Sequence, residues 1–195
     1  TPLYSSAASD VYKRQLMFGG FNPTSSVHGD TETYNGTAWT ETNNLNTSRA
    51  YGAPAQQGSQ TAALMASGTT SAVDGTWVEE WDGTSWTEKT DTNVTHAYAC
   101  GSGISTASLA IGSGPPPQRT YVESWNGTAW SEGNDLTTGR YFNAAAGSQT
   151  AALTFSGEST PGPFMANSET WNGTSWSEVN DLNTARATGG GAGTN

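Results

Sequence analysis

The segments Trp125-Asn126-Gly127-Thr128-Ala129-Trp130 and Trp171-Asn172-Gly173-Thr174-Ser175-Trp176 decide the fold. The same six-residue pattern occurs earlier as Tyr34-Asn35-Gly36-Thr37-Ala38-Trp39 and Trp81-Asp82-Gly83-Thr84-Ser85-Trp86. The second aromatic recurs at spacings of 47, 44 and 46 residues. Asn-Gly or Asp-Gly between apolar residues is a strong hairpin signal, because both supply positive φ cheaply. A two-residue turn would set Glu123 opposite Trp130. A four-residue loop would set Glu123 opposite Glu132, and like charges opposed across a ladder are unfavourable, so the shorter turn is expected. Either turn leaves Trp125 and Trp130 on one face of the sheet, where the pair is expected to form the apolar layer between repeats.

Other positions keep the register. Glu32, Glu79, Glu123 and Glu169 stand two before the first aromatic, and Glu41, Glu88, Glu132 and Glu178 two after the second. Ten residues after the second aromatic come Arg49, His96, Arg140 and Arg186. No helical stripe is sustained, and a period near 45 with this much glycine reads as propeller blades. Each repeat is expected to hold four strands. In the third copy, strand a follows Arg140, strand b spans 149–155, strand c leads into Trp171 and strand d starts near Trp176.

This pattern resembles the kelch repeat: an Arg entering strand a, a glycine ending strand b, then a spaced aromatic pair. Leu16-Met17-Phe18-Gly19-Gly20 carries the kelch double glycine, while Ser67-Gly68 and Ser156-Gly157 keep one glycine and Gly112-Ser113 looks shifted. The resemblance implies an all-β fold, a β-propeller of about four kelch-like four-stranded blades over 16–195. The blades would form a closed ring or an arc of a larger propeller. Blade boundaries fall near 49, 96, 140 and 186, and residues 186–193 stand to complete the blade begun at Leu16. Thr1 to Gln15 has no counterpart in the repeats and resembles a translated sequencing adapter, which implies a chain read from environmental DNA. That segment is set aside.

Composition narrows the function. There are 17 acidic residues against 7 basic, for a net charge of −10. Phosphate backbones and anionic membranes both need clustered Lys and Arg, so neither nucleic acid nor a membrane surface is an expected partner. No run of 18 apolar residues suggests membrane insertion. Eight Trp, seven Tyr and five Phe offset the scarcity of aliphatic residues. Cys100 is the only cysteine, so no internal disulfide can form, and it is expected to be a small buried hydrophobe. Copper radical oxidases that share the kelch architecture need two His, two Tyr and a Cys linked to a Tyr. His28, His96 and Cys100 are the whole supply of His and Cys. His96, in the repeated Arg position, is expected to replace a structural donor rather than to bind metal, while His28 lies in a loop with Asp30 as the nearest carboxylate. The adjacent Asp82-Gly83 does not match the spacing of a sialidase Asp box. The repeated Glu argue for structure rather than for a catalytic carboxylate pair, and Asn35, Asn126 and Asn172 for turns rather than glycosylation. No catalytic residue, metal site or cofactor is expected.

Arg49, Arg140 and Arg186 are expected to bond carbonyls or carboxylates at blade junctions, together with Tyr34, Trp39, Trp81, Trp86, Trp125, Trp130, Trp171 and Trp176 as the structural repeat. Binding is expected on the irregular b–c loops, which share a face with the d–a loops. The candidate ligand-binding residues are Phe21, Asn22, His28, Asp74, Trp77, Arg119 and Phe164. Repeats of this style are similar to those of phage tail and virion-associated proteins inferred from environmental sequence. The similarity implies a non-enzymatic recognition or structural module, extracellular or virion-associated, with a protein or glycan partner. The alternative is a fragment of a carbohydrate-active or oxidase-like propeller enzyme whose catalytic residues lie outside this chain.

Overall fold

The computed structural model describes residues 14–21, 26–114, 119–159 and 162–193. Expectations that fall on 1–13, on Asn22 and on 115–118 lie outside them. The described residues are all-β, arranged as four antiparallel sheets. Sheet I holds β1 (Gln15–Phe18), β2 (Thr31–Tyr34) and β3 (Trp39–Thr42). Sheet II holds β4 (Ala53–Pro54), β5 (Ala63–Thr69), β6 (Asp74–Trp81) and β7 (Trp86–Glu88). Sheet III holds β8 (Cys100–Ile104), β9 (Ala107–Ser113), β10 (Arg119–Trp125) and β11 (Trp130–Glu132). Sheet IV holds β12 (Ala144–Gly147), β13 (Ala152–Phe155), β14 (Ser168–Trp171) and β15 (Trp176–Val179). Strands follow one another in space as in sequence within each sheet. The inner strands β4, β8 and β12 pack successively against one another. The architecture is compatible with a β-propeller.

The hairpin between the aromatics differs from the expected one. Trp125 pairs with Trp130 and Glu123 with Glu132, and the other three repeats keep the same register. The loop therefore has four residues. Asn126 closes it: its Oδ1 accepts from the N–H of Thr128 and Ala129, both at 2.9 Å, while Gly127 supplies the positive φ of 92°. The opposed glutamates are tolerated because they occupy different environments. Glu132 is exposed to water. Glu123 is 1% exposed, and its charge is met by the N–H of Asn93 at 2.9 Å, the N–H of Val94 at 3.1 Å and His96 Nε2 at 3.1 Å. A compensated carboxylate opposite a hydrated one repels weakly.

That compensation comes from the loop that leaves the preceding sheet, so each such glutamate staples two sheets together. Glu79 accepts from the N–H of Asn46 at 2.7 Å and Thr47 at 3.2 Å, and from Arg49. Glu169 accepts from the N–H of Thr137 at 2.8 Å and Thr138 at 3.3 Å, and from Arg140 Nη2 at 2.7 Å. Arg49, Arg140 and His96 are fully buried. Burial of a charge is tolerated only when it is paired and hydrogen-bonded, and all three staples meet that condition.

The indoles supply the apolar part of the same junctions. Trp81 and Trp86 pack with Leu45, Leu16 and Phe18, at the boundary with sheet I. Trp125 and Trp130 pack with Ala53, Leu64 and Val78 of sheet II. Trp171 and Trp176 pack with Leu109, Ile111 and Val122 of sheet III. At roughly 150–250 Å² per aromatic and about 25 cal/mol/Å², each buried indole contributes roughly 4–6 kcal/mol before entropy is charged against it. Trp86 Nε1 donates to Thr31 Oγ1 at 2.9 Å. Val78 and Val122 take the register position of Thr31 in the next two sheets, and there the indole N–H of Trp130 and of Trp176 is buried without a protein partner.

The double-glycine position also becomes clear. Gly19 and Ser156 directly follow β1 and β13, Ser67 and Gly112 lie in the last residues of β5 and β9, and all four have φ between 58° and 80°. Gly112-Ser113 is therefore in register: it keeps the first glycine of the pair, where the other two departing copies keep the second.

Candidate functional site

The loops entering the inner strands bring a second repeated feature to one end of the molecule. Tyr51, Tyr98, Phe142 and Thr188 each stand two residues after Arg49, His96, Arg140 and Arg186, and each has a left-handed backbone, with φ of 54°, 57°, 52° and 56°. Such a conformation is uncommon for a side chain of this bulk. It is held here by a chain of backbone bonds running from sheet to sheet. The N–H of Tyr98 donates to Tyr51 O at 2.6 Å, that of Phe142 to Tyr98 O at 2.7 Å, and that of Thr188 to Phe142 O at 2.9 Å. A repeated non-glycine residue at positive φ reads as a position whose side-chain direction matters.

The side chains so directed form an aromatic cluster. The rings of Tyr51 and Tyr98 stack at 5.0 Å, and Phe142 meets both edge-on at 5.4 and 5.3 Å. Phe21 leans on Tyr51 at 5.1 Å and Tyr141 on Phe142 at 5.0 Å. Tyr51 is 45% exposed and Phe21 46%. Beside the cluster lies a cavity of about 220 Å³ lined by Tyr51, Tyr98, Phe142, Asn143 and Thr188. The arrangement offers apolar ring faces with phenol groups at their edges. That chemistry suits stacking on a sugar ring or on the side chains of another protein.

The candidate residues taken from the loops do not converge on one point. Phe21 joins the aromatic cluster and also lines a separate groove of about 240 Å³ with His28. His28 Nδ1 lies 2.7 Å from Asp30 Oδ2. Asp74 and Arg119 line another groove, of about 480 Å³, with Tyr121. The Arg119 guanidinium lies 5.4 Å from the centre of the Tyr121 ring and donates to its hydroxyl at 3.0 Å. Trp77 belongs to β6, half-buried, with its ring laid over Gly75. Phe164 is 57% exposed and bridges Glu158, which on its other side bridges Tyr141. Tyr51, Tyr98 and Phe142 are not among the residues expected from the loops, although their fixed distance from the repeated Arg or His is a signal present in the sequence.

Acid–base chemistry is sparse. His96 faces Gly112 O at 2.8 Å with its other nitrogen toward Glu123. The Cys100 thiol is buried, and burial pushes its pKa up to about 12 against a weaker opposing bond from Thr154. Among the described residues no group of three or more His, Cys, Asp or Glu could hold a metal ion.

No known protein family matches the sequence, and no curated protein matches it. Solved structures do match. One of them, described as the structure of YjhT, superposes with a TM-score of 0.74 over 92% of this chain and 71% of its own, at 12% identity. At that identity the likeness speaks to the fold alone.

Proposed function

We propose that this chain is a kelch-like β-propeller module that recognises a glycan or protein partner, without catalysis, through the face where the b–c and d–a loops meet. The four sheets are its blades, and Arg49, Arg140 and the indole pairs are structural. The observation that carries the reading is the axial aromatic cluster, aimed by successive left-handed residues that the fold repeats in every sheet. Rigid scaffolds with functional loops are the usual division of labour in binding modules. The acidic, lysine-poor surface supports a protein or glycan partner outside the cell or on a virion. The test is a glycan array with the full chain, beside capture from a surface-protein library. Binding should fall at least tenfold in Tyr51→Ala and in Tyr98→Ala, and stay unchanged in Val179→Ala, an exposed residue of the outer strand β15. Binding that is indifferent to both tyrosines, or turnover of sugar or alcohol substrates, would defeat the proposal.

A further inference from the structure

The junctions between neighbouring sheets use the same buried carboxylate, but one of them closes it with a different cation. Arg49 meets Glu79 and Arg140 meets Glu169, while His96 meets Glu123. His96 takes over two of the bonds that Arg140 makes. Arg140 donates to Ser156 O at 3.2 Å and to Glu169 Oε1 at 2.7 Å. His96 Nδ1 lies 2.8 Å from Gly112 O, and its Nε2 lies 3.1 Å from Glu123 Oε2. Gly112 holds the place of Ser156 in its repeat. An arginine always carries the hydrogens for both bonds, whereas an imidazole carries them only in its doubly protonated form.

Both partners of His96 can only accept. Gly112 O is a carbonyl oxygen, so Nδ1 must donate to it. The Glu123 carboxylate already accepts from the N–H of Asn93 and of Val94 and from Asn93 Nδ2. That set of donors fits its ionised form, so Nε2 must donate as well. With both nitrogens donating, the ring is an imidazolium. Solvent cannot stand in for either bond, since His96 is fully buried and Glu123 nearly so. Glu123 is the charged partner of the ring. The other neighbours are neutral: Ser67 Oγ accepts from the His96 N–H at 2.7 Å, and residues 92–95 are Thr, Asn, Val and Thr. Asp91, where that loop starts, bonds Thr76. Asp74 and Arg119 share a groove with Val94 and Thr95 and do not bond the ring. The charges of the flanking junctions are paired among themselves.

We infer that His96 is a proton-operated latch at the junction of sheets II and III, and that it regulates the aromatic face through Tyr98. The link to the face rests on the reading of that cluster as the binding surface. Tyr98 stands two residues beyond His96. Its N–H donates to Tyr51 O at 2.6 Å, and its carbonyl accepts from the N–H of Phe142 at 2.7 Å. Between them, Ala97 O accepts from the Gly114 N–H at 2.9 Å. The segment that aims Tyr98 is thus anchored on the latch. Loss of one ring proton leaves either Gly112 O without its donor or a bare nitrogen facing the Glu123 carboxylate. Both sites are buried, where a missing partner is costly. The folded junction needs a proton that the unfolded chain gives up as pH rises, so it holds at lower pH and loosens as pH climbs. Arginine keeps its charge over that range, so the other two junctions stay shut. Raising the pH therefore loosens the middle junction alone and frees the seat of Tyr98.

Nitrogen NMR of the full chain, labelled at histidine, tests this. The chain has two histidines, and His28→Gln leaves only the signals of His96. Both ring nitrogens should carry protons at about pH 6, and one proton should be gone by about pH 9. The Phe142 ring meets that of Tyr98 edge-on at 5.3 Å. In a chain carrying 4-fluorophenylalanine, the Phe142 fluorine signal, assigned through Phe142→Leu, should shift with the same midpoint, and His96→Arg should hold it still. Over the same range the melting temperature of the wild type should fall, relative to that of His96→Arg, by at least about 3 °C. Four results would each overturn the inference: a bare ring nitrogen at the acid end, both protons retained at the alkaline end, a Phe142 signal indifferent to the histidine, or wild type and His96→Arg melting in parallel. If the aromatic cluster were not the binding face, these signals would still move while no binding on the glycan array depended on Tyr51 or Tyr98, so the two failures are distinct.

Discussion

Glu169 and Glu178 face one another across the β14–β15 ladder, and replacing each by alanine should have very different consequences. Glu169 is fully buried and accepts from two backbone N–H groups and the Arg140 guanidinium. Its removal strands a buried cation and two buried donors. Breaking a buried ion pair from one side typically costs about 3–5 kcal/mol, so Glu169→Ala should lose roughly that much. Glu178 is exposed, and its contact with Thr137 Oγ1 is long, at 3.5 Å. Glu178→Ala should change stability by no more than about 0.5 kcal/mol. Glu169→Gln, which keeps an acceptor but no charge, should fall between, at about 1–3 kcal/mol. Urea unfolding followed by tryptophan fluorescence gives all three, with midpoints compared at constant slope. The double variant Arg140→Leu/Glu169→Leu should lose less than the two single changes added together. If Glu169→Ala and Glu178→Ala lose similar amounts, both below about 1 kcal/mol, the staple does not hold sheets III and IV together.

Acid should act through the equivalent staple at Glu123. Burial raises its pKa, but the bonds from His96 and from the N–H groups of Asn93 and Val94 outweigh it and hold the group below its ordinary 4.5. Its contribution is therefore complete above 4.5 and disappears as pH falls through the lower folded-state value; Glu123→Gln should flatten that acid limb in a series of melting temperatures. Cys100 should resist iodoacetamide at pH 8 in the folded protein and react only as fast as the chain opens, since its thiol is buried with a pKa of about 12; rapid labelling in native buffer would contradict the packing. Gly101→Ala should destabilise by about 1–3 kcal/mol, because its Cβ would lie 2.3 Å from Pro54 O. Gly133→Ala, whose nearest neighbour would be at an ordinary 3.5 Å, should be nearly neutral in the same denaturation assay.

The repeat and its strand order were legible because they rest on local rules: alternation, Asn-Gly turns and a fixed aromatic spacing. The hairpin length was misjudged at the one point where a local rule needed non-local knowledge. Opposed glutamates look repulsive until a neighbouring sheet is known to supply His96 or an arginine. The loop candidates scattered for a related reason. Asp74 and Arg119 share a groove, while Phe164 and Trp77 do not join them, because irregular loops carry no period from which to read their direction. Tyr51, Tyr98 and Phe142 did obey the period. Their role was hidden because it depends on a left-handed backbone that tyrosine and phenylalanine seldom adopt.

The hairpin loops also bear on how the molecule ages. Asn-Gly is the dipeptide most open to spontaneous loss of the side-chain amide, and three of the four hairpins contain it. The fourth already carries aspartate. Asp82 Oδ1 accepts from the N–H of Thr84 and Ser85, both at 2.8 Å, the same pair of bonds that Asn126 and Asn172 make. Conversion of those asparagines to aspartate would therefore leave the bend intact and add one negative charge at each site. An old sample should migrate as a ladder of increasingly acidic species, of which those carrying aspartate keep the bend, whereas those carrying isoaspartate, with one more backbone atom in the turn, lose it.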